Sequence, residues 1–114
     1  MAYDEGLAQR VRESMIPRDL EEKKMFGGIG FLTSGNMVCG ILHDSLIVRV
    51  GPEHYQDALS HPHTREFDFT GRAMTGWVMV NPRGYEDDTS LDDWVMRGLT
   101  FALSLPPKAT PPTP

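Results

Sequence analysis

The stretch Gly27-Gly28-Ile29-Gly30 is the first in this sequence whose residue types and spacing could do chemistry, because closely spaced glycines can cradle a phosphate. Such a loop needs a helix N-terminus directly after it, to supply free N–H groups, and a Lys followed by Ser or Thr. Here Phe31 and Leu32 continue an apolar strand and Ser34-Gly35-Asn36 follows as a turn. The glycines therefore read as positions where a strand bulges or where another element comes close. His61 and His63 could hold a metal, but they lie in a short loop, His43 and His54 fall elsewhere, and a metal site needs a further ligand. Cys39 would need a base and an electropositive setting to act as a nucleophile. It sits instead in an apolar strand, where a thiol behaves as a small hydrophobe. Glu86-Asp87-Asp88 with Asp92-Asp93 is dense enough to attract a divalent cation, yet the spacing does not match a calcium loop. Helix-dipole compensation accounts for it more simply. No catalytic set, metal site or cofactor site assembles, and the expectation is a protein that is not an enzyme.

The cations give the second candidate chemistry. Arg10, Arg12, Arg18, Lys23 and Lys24 gather near one helix and its exit, which could face DNA, but Glu13, Asp19, Glu21 and Glu22 interrupt them. The whole chain has 16 Asp and Glu against 11 Lys and Arg, a net charge of -5, a poor start for phosphate neutralisation. Any DNA contact is expected to be indirect. Arg49 and Arg72 read as cations paired with neighbouring acids, and a small-ligand pocket near Arg49, Arg72 and Trp77 is the remaining alternative.

The elements that must position these residues follow from periodicity. Tyr3, Leu7, Val11 and Met15 recur every fourth residue, predicting a helix over 3–16 that Pro17 ends. Three strands are predicted over 23–32, 37–43 and 46–50, with turns at Ser34-Gly35-Asn36 and Asp44-Ser45. Met37, Cys39 and Ile41 alternate with Val38, Gly40 and Leu42, so the second strand is apolar on both faces and central. Gly51-Pro52-Glu53 starts a short helix whose stripe is Tyr55, Ala58 and Leu59. Strands over 65–69 and 76–80 come next. A last helix begins near Ser90, with Asp93 completing a capping box, and carries Leu91, Trp94, Val95, Gly98, Phe101, Ala102 and Leu105 on one face. The order α-β-β-β-α-β-β-α argues a two-layer α+β domain with a five-stranded antiparallel sheet.

At 114 residues the chain suits one domain that buries roughly two-thirds of its unfolded surface. That domain is expected over 1–105. The last nine residues carry five prolines, so 106–114 is expected to be a disordered tail. One cysteine forbids an intrachain disulfide and fits a reducing compartment. The acidic N-terminus is no signal peptide and no apolar run spans a membrane, so the expected location is cytoplasmic.

With these motifs in view, the sequence resembles the N-terminal domain of the TfoX/Sxy competence regulators. The matching pieces are Lys24-Met25-Phe26-Gly27-Gly28-Ile29-Gly30-Phe31, Gly35-Asn36-Met37, and Leu46-Ile47-Val48-Arg49-Val50-Gly51-Pro52-Glu53. They continue through Phe69-Thr70-Gly71-Arg72, Met74-Thr75-Gly76-Trp77-Val78, and Trp94-Val95 to Leu105-Pro106-Pro107-Lys108. The resemblance implies a two-layer α/β arrangement with an antiparallel sheet, similar in outline to secretion chaperones. It also implies transcriptional co-regulation through protein contacts, alongside the cyclic-AMP receptor protein. The best-known members carry a second, helical C-terminal domain, whereas this sequence continues into the proline-rich stretch and reads as a stand-alone N-terminal domain. No catalytic residues carry over. The expectation is a regulatory interaction module with a protein partner, a homodimer among the possible forms, no membrane contact, and a contact surface built on Gly27, Gly28, Gly30, Arg49, Arg72 and Trp77.

Overall fold

In the computed structural model, residues 3–14, 20–25, 27–68 and 71–106 are described. Helix α1 spans Glu5–Ser14. Asp4 caps it, its Oδ1 accepting a hydrogen bond from the Leu7 N–H at 3.0 Å. Tyr3 is not helical: it bridges to His43 in parallel, and the Asp4 N–H donates to the His43 carbonyl at 2.8 Å. The predicted helical residues Met15 and Ile16 lie outside the described residues, as does Arg18.

Among the described residues the sheet has six strands rather than five. The predicted strand over 23–32 is two strands, β1 (Glu21–Met25) and β2 (Gly28–Thr33), paired as a hairpin with Met25 opposite Gly28. The reversal uses Gly27 at φ 77, a conformation that a side chain rarely adopts. Strand β3 is Asn36–Leu42 and β4 is Ser45–Arg49. The β2–β3 turn has positive φ at both central residues, Ser34 at 50 and Gly35 at 79, which matches the right-handed twist of the flanking strands. The β3–β4 turn centres on His43-Asp44, one residue before its predicted place, because Leu42 pairs with Ser45. Strand β5 is short, Thr64–Glu66, and β6 is Trp77–Val80. Phe69, expected in a strand, lies outside the described residues. All pairs are antiparallel, in the order β1-β2-β3-β4-β6-β5.

Helix α2 (Tyr55–Leu59) continues a 3-10 turn over Pro52–His54, and α3 spans Asp88–Ser104. The α3 cap sits three residues earlier than the predicted box. Asp87 accepts from the Ser90 N–H at 3.1 Å, and the Ser90 hydroxyl donates back to Asp87 at 2.8 Å. Helices α1 and α3 cover one face of the sheet. Leu7, Val11, Phe31, Val38, Cys39, Ile41, Leu46, Val48, Val78, Leu91 and Val95 form the main core there.

Two features of β3 set how that core closes. The register against β2 shifts between Phe31 and Leu32, so Val38 is an extra residue and forms a bulge. The bulge turns both Val38 and Cys39 towards the helices and moves Met37 to the far face, beside Gly40. Strict alternation would have placed Met37 with Cys39. Then Gly98 of α3 passes over the bulge so closely that a Cβ there would lie 2.2 Å from the Val38 carbonyl oxygen.

This contact gives a sign test. Alanine is the better helix former by about 1 kcal/mol. Gly98→Ala should nonetheless destabilise the protein by about 2–3 kcal/mol, because the new methyl meets backbone rather than a movable side chain. Gly30→Ala, whose Cβ would meet first the flexible ends of the Met25 and Met37 side chains, should stay within about 1 kcal/mol of the parent. Urea midpoints of the two variants check the contrast.

Candidate interaction surface

The face of the sheet turned away from the helices is where most of the predicted contact residues fall. The glycines shape it. Gly30 pairs directly with Gly40 across β2 and β3, leaving a side-chain-free strip. The methionines at positions 25 and 37 fold over that strip: a Cβ on Gly30 would meet Met25 Cε at 2.9 Å and Met37 Cε at 3.3 Å. Gly28 is held by backbone, since its Cβ would fall 2.1 Å from the Ile41 carbonyl oxygen. Gly30 and Gly40 thus make room for the domain's own methionines.

A second, smaller apolar cluster of Ile47, Phe67 and Met79 occupies the same face, with Leu42, Met74 and Trp77 packed against it. The loop from β5 to β6 folds back to build it, the Met74 N–H donating to the Phe67 carbonyl at 3.0 Å and the Trp77 N–H to the Met74 carbonyl at 3.0 Å. Between this cluster and the Met25–Met37 pair lies an apolar groove of about 260 Å³, with Met25, Met37, Gly40, Ile47, Met74 and Trp77 in its walls. The cross-strand row Lys23–Gly30–Gly40–Ile47–Met79–Arg65 runs across this face and carries a cation at each end.

Arg49 and Trp77 lie opposite each other in β4 and β6. The guanidinium lies 5.3 Å from the Trp77 ring centroid and 5.3 Å from that of Phe101, held between two aromatic faces instead of by an acid. Phe101 reaches this place because Gly51, at φ 88, has no side chain: a Cβ there would lie 2.4 Å from the ring. Arg72 is not brought to this pair. It is exposed in the β5–β6 loop and makes no hydrogen bond or ion pair among the described residues. Sequence reasoning missed Met25, Met37, Phe67 and Met74 as one surface. The available signal was the two-sided apolar character of β3 together with seven methionines in the chain.

The alternative chemistries disperse. Four of the five acids of the 86–93 cluster have structural work: Asp87 caps α3, Asp88 pairs with Arg10 at 3.1 Å, Asp92 accepts a hydrogen bond from the Ser14 hydroxyl, and Asp93 pairs with Arg97 at 3.1 Å. His61 stands 3.1 Å from Arg97 and packs edge-on against Trp94, while His63 sits in a turn at φ 65. Among the described residues, no three His, Cys, Asp or Glu gather to hold a metal. The supposed DNA patch is divided. Arg10 binds the Tyr85 and Glu86 carbonyls and Asp88, and Arg12 makes two 2.8 Å hydrogen bonds to Glu22, whose carboxyl is held below its usual range by them. A wider open cleft of about 690 Å³ lies between Gly51–His54 and α3, walled by Arg97, Thr100 and Phe101. No described helix is long and apolar enough to cross a membrane.

A family model described as the TfoX N-terminal domain matches residues 17–102. No curated protein and no solved structure matches the chain.

Two predictions test this surface and the core beneath it. Arg49→Gln should lower stability by about 1 kcal/mol through the lost aromatic contacts and shift Trp fluorescence. Burial pushes the Cys39 thiol up to about 12, whereas the unfolded thiol ionises near 8.5. Its contribution to stability is therefore complete below about pH 8.5 and declines as pH rises towards 12. The urea midpoint should fall between pH 8 and 10, and Cys39→Val should flatten that fall.

Proposed function

Because the chain belongs to the TfoX N-terminal domain family, we propose that it is a non-enzymatic regulatory module that acts through protein contact, in the manner of transcriptional co-regulation. The observation that carries the proposal is the second sheet face. A methionine- and aromatic-walled groove suits a protein partner, because methionine side chains repack around different apolar shapes. Cations rim that groove in a protein of net charge -5. Lys23 and Arg65 end the central row, and Arg49 stands beside Trp77. The partner segment this favours presents apolar side chains flanked by carboxylates. A cytoplasmic site of action goes with this reading.

DNA contact is indirect in the proposal. Arg10 and Arg12 are already committed to carbonyls and carboxylates, and the exposed Lys23 and Lys24 stand beside Glu21 and Glu22, which oppose phosphates. The chain alone should give no shift of labelled duplex DNA at low salt. A shift that weakens steeply with salt would show direct binding instead.

Affinity capture from native cells, run in parallel with the parent and with Met74→Asp, tests the protein reading. A defined partner should co-purify with the parent and be depleted at least tenfold by the variant, both proteins keeping the same fold by circular dichroism. Equal recovery by parent and variant, or no partner with either, contradicts it.

A further inference from the structure

Among the described residues, strand β1 ends the sheet: it pairs only with β2, and no other strand lies on its outer side. Its residues Glu21, Glu22, Lys23 and Lys24 are exposed and Met25 is half-buried. A free edge of this length is a template for another strand, and proteins usually blunt one with proline, a bulge or charged side chains, which repel a copy only where like charges come to face each other. This edge has no proline, and its register with β2 runs without a break. Its charges change sign halfway along, so the sequence Glu-Glu-Lys-Lys read backwards complements itself.

We infer that β1 is a self-association edge, on which two copies of this chain pair β1 with β1 in antiparallel fashion about a two-fold axis. Symmetry limits the register. In such a pair the axis stands perpendicular to the sheet, so facing residues must belong to the same side of the strand. The registers that overlap most of the charged run Glu21–Lys24 place either Glu22 or Lys23 on the axis. With Lys23 there, two ammonium groups meet, and neither has an ion-pair partner among the described residues. With Glu22 there, the two facing carboxylates are each already neutralised by the two 2.8 Å hydrogen bonds from Arg12 of their own chain. Glu21 of each copy then faces Lys23 of the other, on both sides of the axis, and Leu20 faces Lys24. The Glu22-centred register is therefore the one the charges select.

The pairing joins two six-stranded sheets into one. A perpendicular axis keeps both methionine grooves on the same side of it, so a dimer offers two grooves to one partner surface. That last consequence rests on the protein-contact reading above; the pairing itself does not. An edge-to-edge interface of this kind is small, which places the association in the micromolar range or weaker.

Sedimentation velocity of the full chain, over concentrations from the low micromolar to several hundred micromolar, reads the association. The expected result is a concentration-dependent move from monomer to dimer, weakened by salt. Lys23→Glu should weaken association at least tenfold. The double variant Glu21→Lys with Lys23→Glu, which swaps the facing charges, should restore it. Within the chain these two positions face only Gly30 and Leu32, so the exchange leaves the fold's own pairs alone, and an unchanged unfolding midpoint confirms this. A strict monomer throughout, a dimer indifferent to Lys23→Glu, or a double variant that fails to recover overturns the inference. Met74→Asp should leave sedimentation unchanged, so failure of the partner reading and failure of this one are told apart.

Discussion

The close passage of α3 over the β3 bulge is the contact on which the rest of the domain depends. Gly98 has no side chain, and the Val38 carbonyl occupies the place one would take. That approach lets Leu91, Val95, Leu99 and Ala102 reach the sheet as a continuous stripe, all of them buried. The bulge matters equally from the other side. By turning Val38 and Cys39 together towards α3, it adds one more buried side chain to the helical core than a regular strand of that length provides. Burial on this scale is the main favourable term in folding, at about 25 cal/mol per Å² of apolar area.

The same bulge decides what the far face looks like. Met37, displaced from the helical side, lies over the glycine pair Gly30–Gly40 beside Met25. Without those two glycines the strip would be filled by side chains, and the methionines would have no bed. Phe67, Met74 and Trp77 then close the groove from the opposite side, because the β5–β6 loop folds back onto β4 and β6. At the end of β4 the Arg49 guanidinium joins the two layers, lying between Trp77 of the sheet and Phe101 of α3. The groove is thus supported by the core beneath it and by a cation–π contact at its margin.

Much of this architecture is legible in the residues, and the failures are local. Helix α3 shows itself through Leu91, Trp94, Val95 and Ala102 at helical spacing, and Ser34-Gly35 marks the β2–β3 turn through its tolerance of positive φ. The split of β1 from β2 is harder to see, because Lys23 to Phe31 reads as one apolar, glycine-containing run and only the backbone at Gly27 reveals the reversal. The bulge is invisible for a related reason: Met37 and Val38 are both apolar, so a slip in alternation changes no residue class. The groove was scattered through the chain in Met25, Met37, Phe67, Met74 and Trp77, residues that any core could have claimed. Only Gly27, Gly28, Gly30 and the Arg49–Trp77 pair pointed towards it, and Arg72 pointed elsewhere. Most of the acidic cluster resolved into a cap and ion pairs, Asp87 on the α3 N-terminus, Asp88 on Arg10 and Asp93 on Arg97, while His61 lies against Arg97 and Trp94.

The proposed protein contact lies on the groove face and not on the helical face. Hydrogen–deuterium exchange of the chain, alone and bound to its captured partner, reads this directly. Slowed exchange is expected in the backbone of β1 to β3 and in the loop between β5 and β6, with the outer side of α3 unaltered. Protection centred on the exposed α3 residues Met96 and Leu103, with the groove unchanged, would contradict it.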